Sequence, residues 1–228
     1  MDNCFINRMD QSKRMNVYFI SGLGADRRAF ERLHLSHKFT IHYLDWIPPL
    51  KNESLNDYAR RLALPINQSA PFCLVGLSMG GMIASAMTTF LQPYKTILIS
   101  SIGCNKEFPP LLRFARLTRA YKLIPEYVLR HPNAVAYRMF GAKTKNEKTL
   151  MHHLILNSDP HFIKWAMGAI VHWQDCERPK SIFHIHGSKD KILPLKYTKP
   201  DVVVEKGSHF MVWTKAGEVS RILEQALV

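Results

Sequence analysis

Ser78 sits in Gly76-Leu77-Ser78-Met79-Gly80, with a glycine two residues to either side. Phe72-Cys73-Leu74-Val75 before it is a short apolar run ending at a glycine, the pattern of a buried strand. Gly81-Met82-Ile83-Ala84-Ser85-Ala86-Met87 after it is small and apolar, the pattern of a helix packed closely on its neighbours. A serine at such a strand-to-helix turn takes up a strained backbone conformation and lifts its hydroxyl above the sheet. The flanking glycines leave room for the sharp turn. The helix also aims its first amides at the same point, where a developing negative charge would be stabilised. A serine hydroxyl is a poor nucleophile at neutral pH, so this chemistry requires an adjacent base and a carboxylate to orient it.

Two later segments offer them. His186-Gly187-Ser188-Lys189-Asp190-Lys191-Ile192-Leu193-Pro194 follows one strand-like run, and Gly207-Ser208-His209-Phe210 follows the last. Taken singly, Asp190 has the composition of an ordinary turn around it, and His209 is one of 11 histidines. Together with the Ser78 turn, however, the segments resemble the α/β-hydrolase superfamily over nearly all of the chain after residue 16, apart from residues 105–177. That resemblance implies a nucleophile, an acid and a base in the order Ser78, Asp190, His209. Some members carry the acid one strand earlier, where this chain has Ser100 and Ser101, which favours Asp190. It also implies an oxyanion hole of two backbone amides, assigned to Met79 and to Leu23, with Gly22 and Gly24 freeing the backbone of the second loop. Many relatives have His-Gly there; this chain has Ser21-Gly22. The implied activity is cofactor-free serine hydrolysis of a small carboxylic ester, thioester or lactone. Cyanohydrin or carbon–carbon cleavage on the same scaffold, or ligand binding without turnover, stay open as alternatives.

These residues need a sheet to carry them. Strands are expected at Asn16–Ser21, Phe39–Leu44, around Phe72–Val75, Thr96–Ser101, Ser181–His186 and Asp201–Glu205. Helices are expected from about Arg27 to His34, from a Ser54 cap through Leu62, after Ser78, and over Glu218–Leu227. Strands alternating with helices imply an α/β, doubly wound, mostly parallel sheet of about six strands, a reduced α/β-hydrolase fold. The gap after the fourth strand is too long for one crossover. Its periodic segments Leu111–Ile124, Pro125–Phe140, Glu147–Leu156 and His161–His172 read as an inserted helical cap. The expected division is therefore a core of residues 1–104 and 178–228 with a cap over 105–177. Met139, Phe140, Phe162, Trp165 and Met167 are candidates for the roof of a substrate pocket, or for the cap's own core. Gly22 and Trp46 are candidates for its border.

Other chemistries fit less well. Gly22-x-Gly24 with Asp45 further on approaches a dinucleotide fingerprint but fails at the third glycine, where Arg27 stands. His184-x-His186 and His152-His153 lack a third ligand at convincing spacing, so no metal is expected. The net charge is +13, and residues 105–180 hold 13 Lys+Arg against 6 Asp+Glu. The cations are scattered rather than grouped in a basic block, so a solvated basic surface is the expectation and neither a nucleic-acid nor a membrane partner is. The partner expected is a small ester-like molecule; oligomeric state is not set by the sequence. No apolar run approaches the length of a membrane span, and Met1–Met15 lacks the apolar core of a signal peptide. Cys4, Cys73, Cys104 and Cys176 show no paired spacing and read as reduced thiols of a cytoplasmic protein.

Overall fold

The computed structural model describes residues 14–174 and 177–228. Cys4, Cys176 and the N-terminal stretch before Arg14 lie outside the described residues. Six strands, β1 (Met15–Ile20), β2 (Phe39–Leu44), β3 (Phe72–Leu77), β4 (Lys95–Ile99), β5 (Ile182–Gly187) and β6 (Val202–Val204), form one sheet. Their order is β2-β1-β3-β4-β5-β6 and every pairing is parallel. The chain reverses its direction of travel across the sheet between β1 and β3. In an open parallel sheet such a switch point leaves a crevice beyond the strand ends.

The two faces of the sheet sort the strand residues with period two. Tyr18, Ile20, Leu74 and Leu98 point to one core, where they meet Leu55, Tyr58 and Leu62 of α1 (Leu55–Leu62) and Met82 and Ile83 of α2 (Met79–Met87). Val17, Phe19, Val75, Ile97 and Ile185 point to the other, against Phe30 and against Val219 and Leu223 near the C-terminus. Because both faces are covered, the central strands are apolar throughout, and β3 is buried at every position.

Between β4 and β5 the chain builds α3 (Pro110–Thr118), α4 (Glu126–Arg130), α5 (Ala134–Phe140), α6 (Lys145–Leu156) and α7 (Pro160–Val171). The stretch Pro125–Phe140, read above as one segment, is two helices. His131 precedes Pro132 and is extended at φ −120° and ψ 91°, since the proline ring disfavours a helical residue before it; Asn133 then caps α5 by accepting from the Ala136 amide. The first segment is likewise cut at Arg119, which adopts φ 54°. A capping box between Thr144 and Glu147 starts α6.

The helix expected over Arg27–His34 is a single 3₁₀ turn, Arg27–Phe30. The backbone beyond it is claimed elsewhere. The His34 amide donates to Ser220 Oγ and the Ser36 amide to Glu224 Oε2, at 2.9 and 3.0 Å, both on the closing helix. The chain ends in α8 (Met211–Thr214) and α9 (Ala216–Leu227). Among the described residues no helix is long and apolar enough to cross a membrane.

Candidate active site

Ser78 closes β3 and opens α2 with φ 52° and ψ −117°, a conformation L-residues seldom adopt. Three features over-determine it. A Cβ on Gly76 would overlap the Gly80 carbonyl, and one on Gly80 would overlap the carbonyl oxygens of Ile20 and Ser21, so both glycines are demanded by close approach. The Ser78 amide donates to Ile99 O at 2.9 Å. Its carbonyl accepts from Ser101 Oγ at 2.6 Å and from the amides of Gly81 and Met82. Ser101 is a residue sequence reasoning noticed only as an absent acid; it braces the turn instead.

The hydroxyl of Ser78 lies 2.9 Å from His209 Nε2, and His209 Nδ1 lies 2.7 Å from Asp190 Oδ2. Asp190 Oδ1 accepts from the amides of Ile192 and Leu193, both at 2.9 Å. Burial raises the Asp190 carboxyl, but the charge and hydrogen bond of His209 and the Leu193 amide outweigh it and hold it below its ordinary value. A carboxylate can only accept, so His209 must donate from Nδ1, which leaves the Nε2 lone pair facing the Ser78 hydroxyl. The three residues are 131, 112 and 19 positions apart in the pairs Ser78–His209, Ser78–Asp190 and Asp190–His209, and the parallel sheet brings them together at its C-terminal edge.

The acid and histidine loops are stapled to one another. Ser188 N donates to Val204 O, Lys189 N to Gly207 O, and Lys206 N to Ser188 Oγ, at 3.0, 2.8 and 2.8 Å. The inserted helices join the same structure. The Phe210 amide donates to Phe140 O at 3.0 Å, and the Phe140 ring meets the His209 imidazole edge-on at 5.4 Å between centroids.

Opposite Ser78 the chain turns through Gly22–Ala25, closed by Ala25 N to Gly22 O at 3.0 Å, with Gly24 at φ +71°. That turn is held from behind by Ser21 Oγ and by Trp46 Nε1, both donating to Ala25 O at 2.8 Å. Gly22 comes so close to Ser78 that a Cβ on it would lie 3.3 Å from the serine Cβ. The amides of Leu23 and Met79 donate to no acceptor among the described residues.

The remaining pocket candidates separate. Phe140 and Gly22 line cavities at Ser78. Trp46, Phe162 and Trp165 do not: they pack around Tyr58, with ring centroids 4.4–6.3 Å apart, and belong to the core beneath α7. Aromatic residues at helical spacing do not by themselves distinguish a helix's core face from its cavity face. Met139 lines neither of the cavities at Ser78, whereas Met167 lines the larger one.

Behind Asp190 lies a feature the sequence suggested only as an unlikely metal motif. His184 Nε2 and His186 Nδ1 are 3.0 Å apart, and His186 Nε2 is 2.7 Å from Leu193 O. The carbonyl requires His186 to donate from Nε2, so its Nδ1 accepts from His184 Nε2–H. His184 Nδ1 is buried and makes no hydrogen bond of ordinary geometry among the described residues. Among the described residues no group of three or more metal-ligating side chains could hold an ion.

Burial, and secondarily the neighbouring His186 and Arg178, push His184 well below its ordinary value; burial also lowers His186, against the opposing pull of Asp190. Both shifts favour the neutral imidazole in the fold, while in the unfolded chain each takes a proton below about pH 6.5. The unfolded state then binds more protons, so stability present above that pH is lost as pH falls. Urea midpoints should accordingly drop between pH 7 and 5.5, and less steeply in His184→Phe. Equal slopes in the two proteins would mean that His184 is not held neutral.

The alpha/beta hydrolase family model matches residues 17–222. The chain belongs to that family. Solved structures similar to it include an esterase from Exiguobacterium antarcticum, 17% identical with a TM-score of 0.71 over 92% of this chain and 91% of that one. A thermophilic esterase from Thermogutta terrifontis is also 17% identical, with a TM-score of 0.68 over 93% and 89%. A putative non-heme bromoperoxidase from Mycobacterium tuberculosis is 16% identical, with a TM-score of 0.68 over 93% and 91%. Likeness at this level of identity establishes the fold. No functionally curated protein matches the chain in sequence.

Proposed function

We propose that this hydrolase-family chain cleaves a small carboxylic ester, thioester or lactone by way of a covalent acyl-enzyme. The observation that carries the reading is the unbroken hydrogen-bonded run from Ser78 Oγ through His209 to Asp190, at 2.9 and 2.7 Å. As Ser78 Oγ bonds to the carbonyl carbon, its proton passes to His209 Nε2. Asp190 fixes the tautomer and stabilises the imidazolium without itself taking the proton. The amides of Leu23 and Met79, which donate to no acceptor among the described residues, receive the oxyanion. The imidazolium then protonates the leaving oxygen or sulfur as the carbon–heteroatom bond breaks. Water enters, gives its proton to His209 and releases the acid, with Ser78 recovering its proton. The inserted helices serve as a cap over the serine. The esterase names of two structural neighbours accord with this activity.

The test is labelling by a fluorophosphonate, which reacts with an activated serine and not with a merely exposed one. Wild-type protein should label stoichiometrically and Ser78→Ala should not. Absence of labelling in folded wild-type protein would overturn the reading in favour of a binding protein.

A further inference from the structure

Ser78 stands at the junction of two cavities of very different size. The smaller, about 50 Å³, runs beneath the Gly22–Ala25 turn and is walled by Ala25, Ala29, Leu77, Met151, Leu154 and Phe210. The larger, about 380 Å³, opens under the inserted helices, between Leu112, Val128, Ile163 and Met167 on one side and Met82 and Ile192 on the other. Leu23, Gly24, Ser78, Phe140, Ile155 and His209 border both, so Phe140 and Ile155 form the partition and Ser78 and His209 the shared floor. Among the described residues no Lys, Arg, Asp or Glu lines either cavity. Six cations of this basic chain, Arg138, Lys143, Lys148, Lys189, Lys191 and Lys206, line a separate depression.

A water- or methyl-sized group takes up roughly 30 Å³. On that scale the small cavity accepts one or two such groups and the large one roughly a dozen. The walls of the small cavity cannot easily yield. Ala29, Leu77, Met151, Leu154 and Phe210 are 1–7% exposed, and all but Leu154 belong to the core on one side of the sheet. An added carbon there meets close-packed atoms rather than a mobile surface.

Building on the serine-hydrolase reading, we propose that the substrate is an uncharged, strongly asymmetric ester or thioester. One arm is an acetyl- or ethyl-sized group in the small cavity, and the other is an apolar chain of up to about a dozen heavy atoms in the large one. Met151, a buried wall of the small cavity outside the hydrogen-bonded run, sets the limit on the short arm.

Four esters test this: hexyl acetate, methyl hexanoate, hexyl hexanoate and methyl acetate. The better of the two asymmetric esters should exceed hexyl hexanoate in kcat/KM by about 10- to 100-fold, the range expected for overfilling a packed site. It should also exceed methyl acetate, with about fourfold lost for each methylene removed from the longer arm. Which of the asymmetric pair is preferred assigns the small cavity to the acyl or the alcohol side. Met151→Ala should raise the ratio of kcat/KM for hexyl hexanoate to that for the preferred asymmetric ester tenfold or more.

Hexyl hexanoate cleaved as fast by wild type as the better asymmetric ester would overturn the inference, and the wild-type panel decides this even if Met151→Ala fails to fold. Fluorophosphonate labelling of Ser78 separates the two readings. A labelled enzyme without the asymmetry loses only the two-cavity inference. A folded, unlabelled and inactive protein loses the hydrolase reading and this inference with it.

Discussion

Ser78→Ala is expected to lower kcat for ester hydrolysis by about 10⁶-fold and Asp190→Asn by about 10⁴-fold, with the fold intact in both. The first removes the nucleophile. The second acts through the tautomer. An asparagine amide at the Asp190 position can keep the Ile192 and Leu193 amides satisfied through its oxygen, the bonds now made by Oδ1 at 2.9 Å. Its NH₂ group then faces His209 Nδ1, which must accept, so Nε2 carries the proton and cannot take one from Ser78. The double substitution should be no slower than Ser78→Ala alone, because the groups act as one unit. Rates of the two single variants and the double variant, with near-ultraviolet circular dichroism to verify packing, check this. Multiplicative losses in the double variant would show that Asp190 serves something other than the Ser78–His209 pair.

Much of this site was legible because its chemistry is tied to local backbone demands. Gly76 and Gly80 mark the turn from their spacing alone, since a Cβ at either position has nowhere to go. Short apolar runs marked β1, β3 and β4 as buried strands, and Ser54 announced α1 by capping it through the Asp57 amide. What stayed hidden depends on packing between distant segments. The Arg27–His34 helix gave way to two hydrogen bonds that the His34 and Ser36 amides donate to side chains of α9, 186 and 188 positions away. Trp46 was placed at the mouth of the site and instead props the Gly22–Ala25 turn from behind through Ala25 O. Phe162 and Trp165 have the right spacing to roof a pocket, but which face of α7 turns to the cavity is fixed by Tyr58, on another helix. His186 was visible beside His184 on one strand face; that its Nε2 would secure the Leu193 carbonyl, and so the loop that holds Asp190, required the loop's path.

The same reasoning makes glycine the most sensitive residue type near Ser78. By helix propensity alone Gly80→Ala should stabilise α2 by up to about 1 kcal/mol. Sterics point the other way: the added Cβ overlaps the Ile20 and Ser21 carbonyl oxygens, which are backbone and cannot rotate aside. The end of β1 must retreat, at a cost of about 3 kcal/mol or more, which for a chain of this size lowers Tm by roughly 6–12 °C. That retreat carries the Gly22–Ala25 turn away from Ser78, so activity should fall more than tenfold beyond any loss of folded protein. Gly217→Ala supplies the contrast. Nothing lies within 4 Å of its Cβ position, and it is the second residue of α9. There the reduced freedom of the unfolded chain should dominate and raise stability by about 0.4–1 kcal/mol. Thermal unfolding of the two variants beside wild type measures both effects. A Gly80→Ala protein as stable as wild type would mean that β1 and α2 are not in the close contact on which the geometry of this site depends.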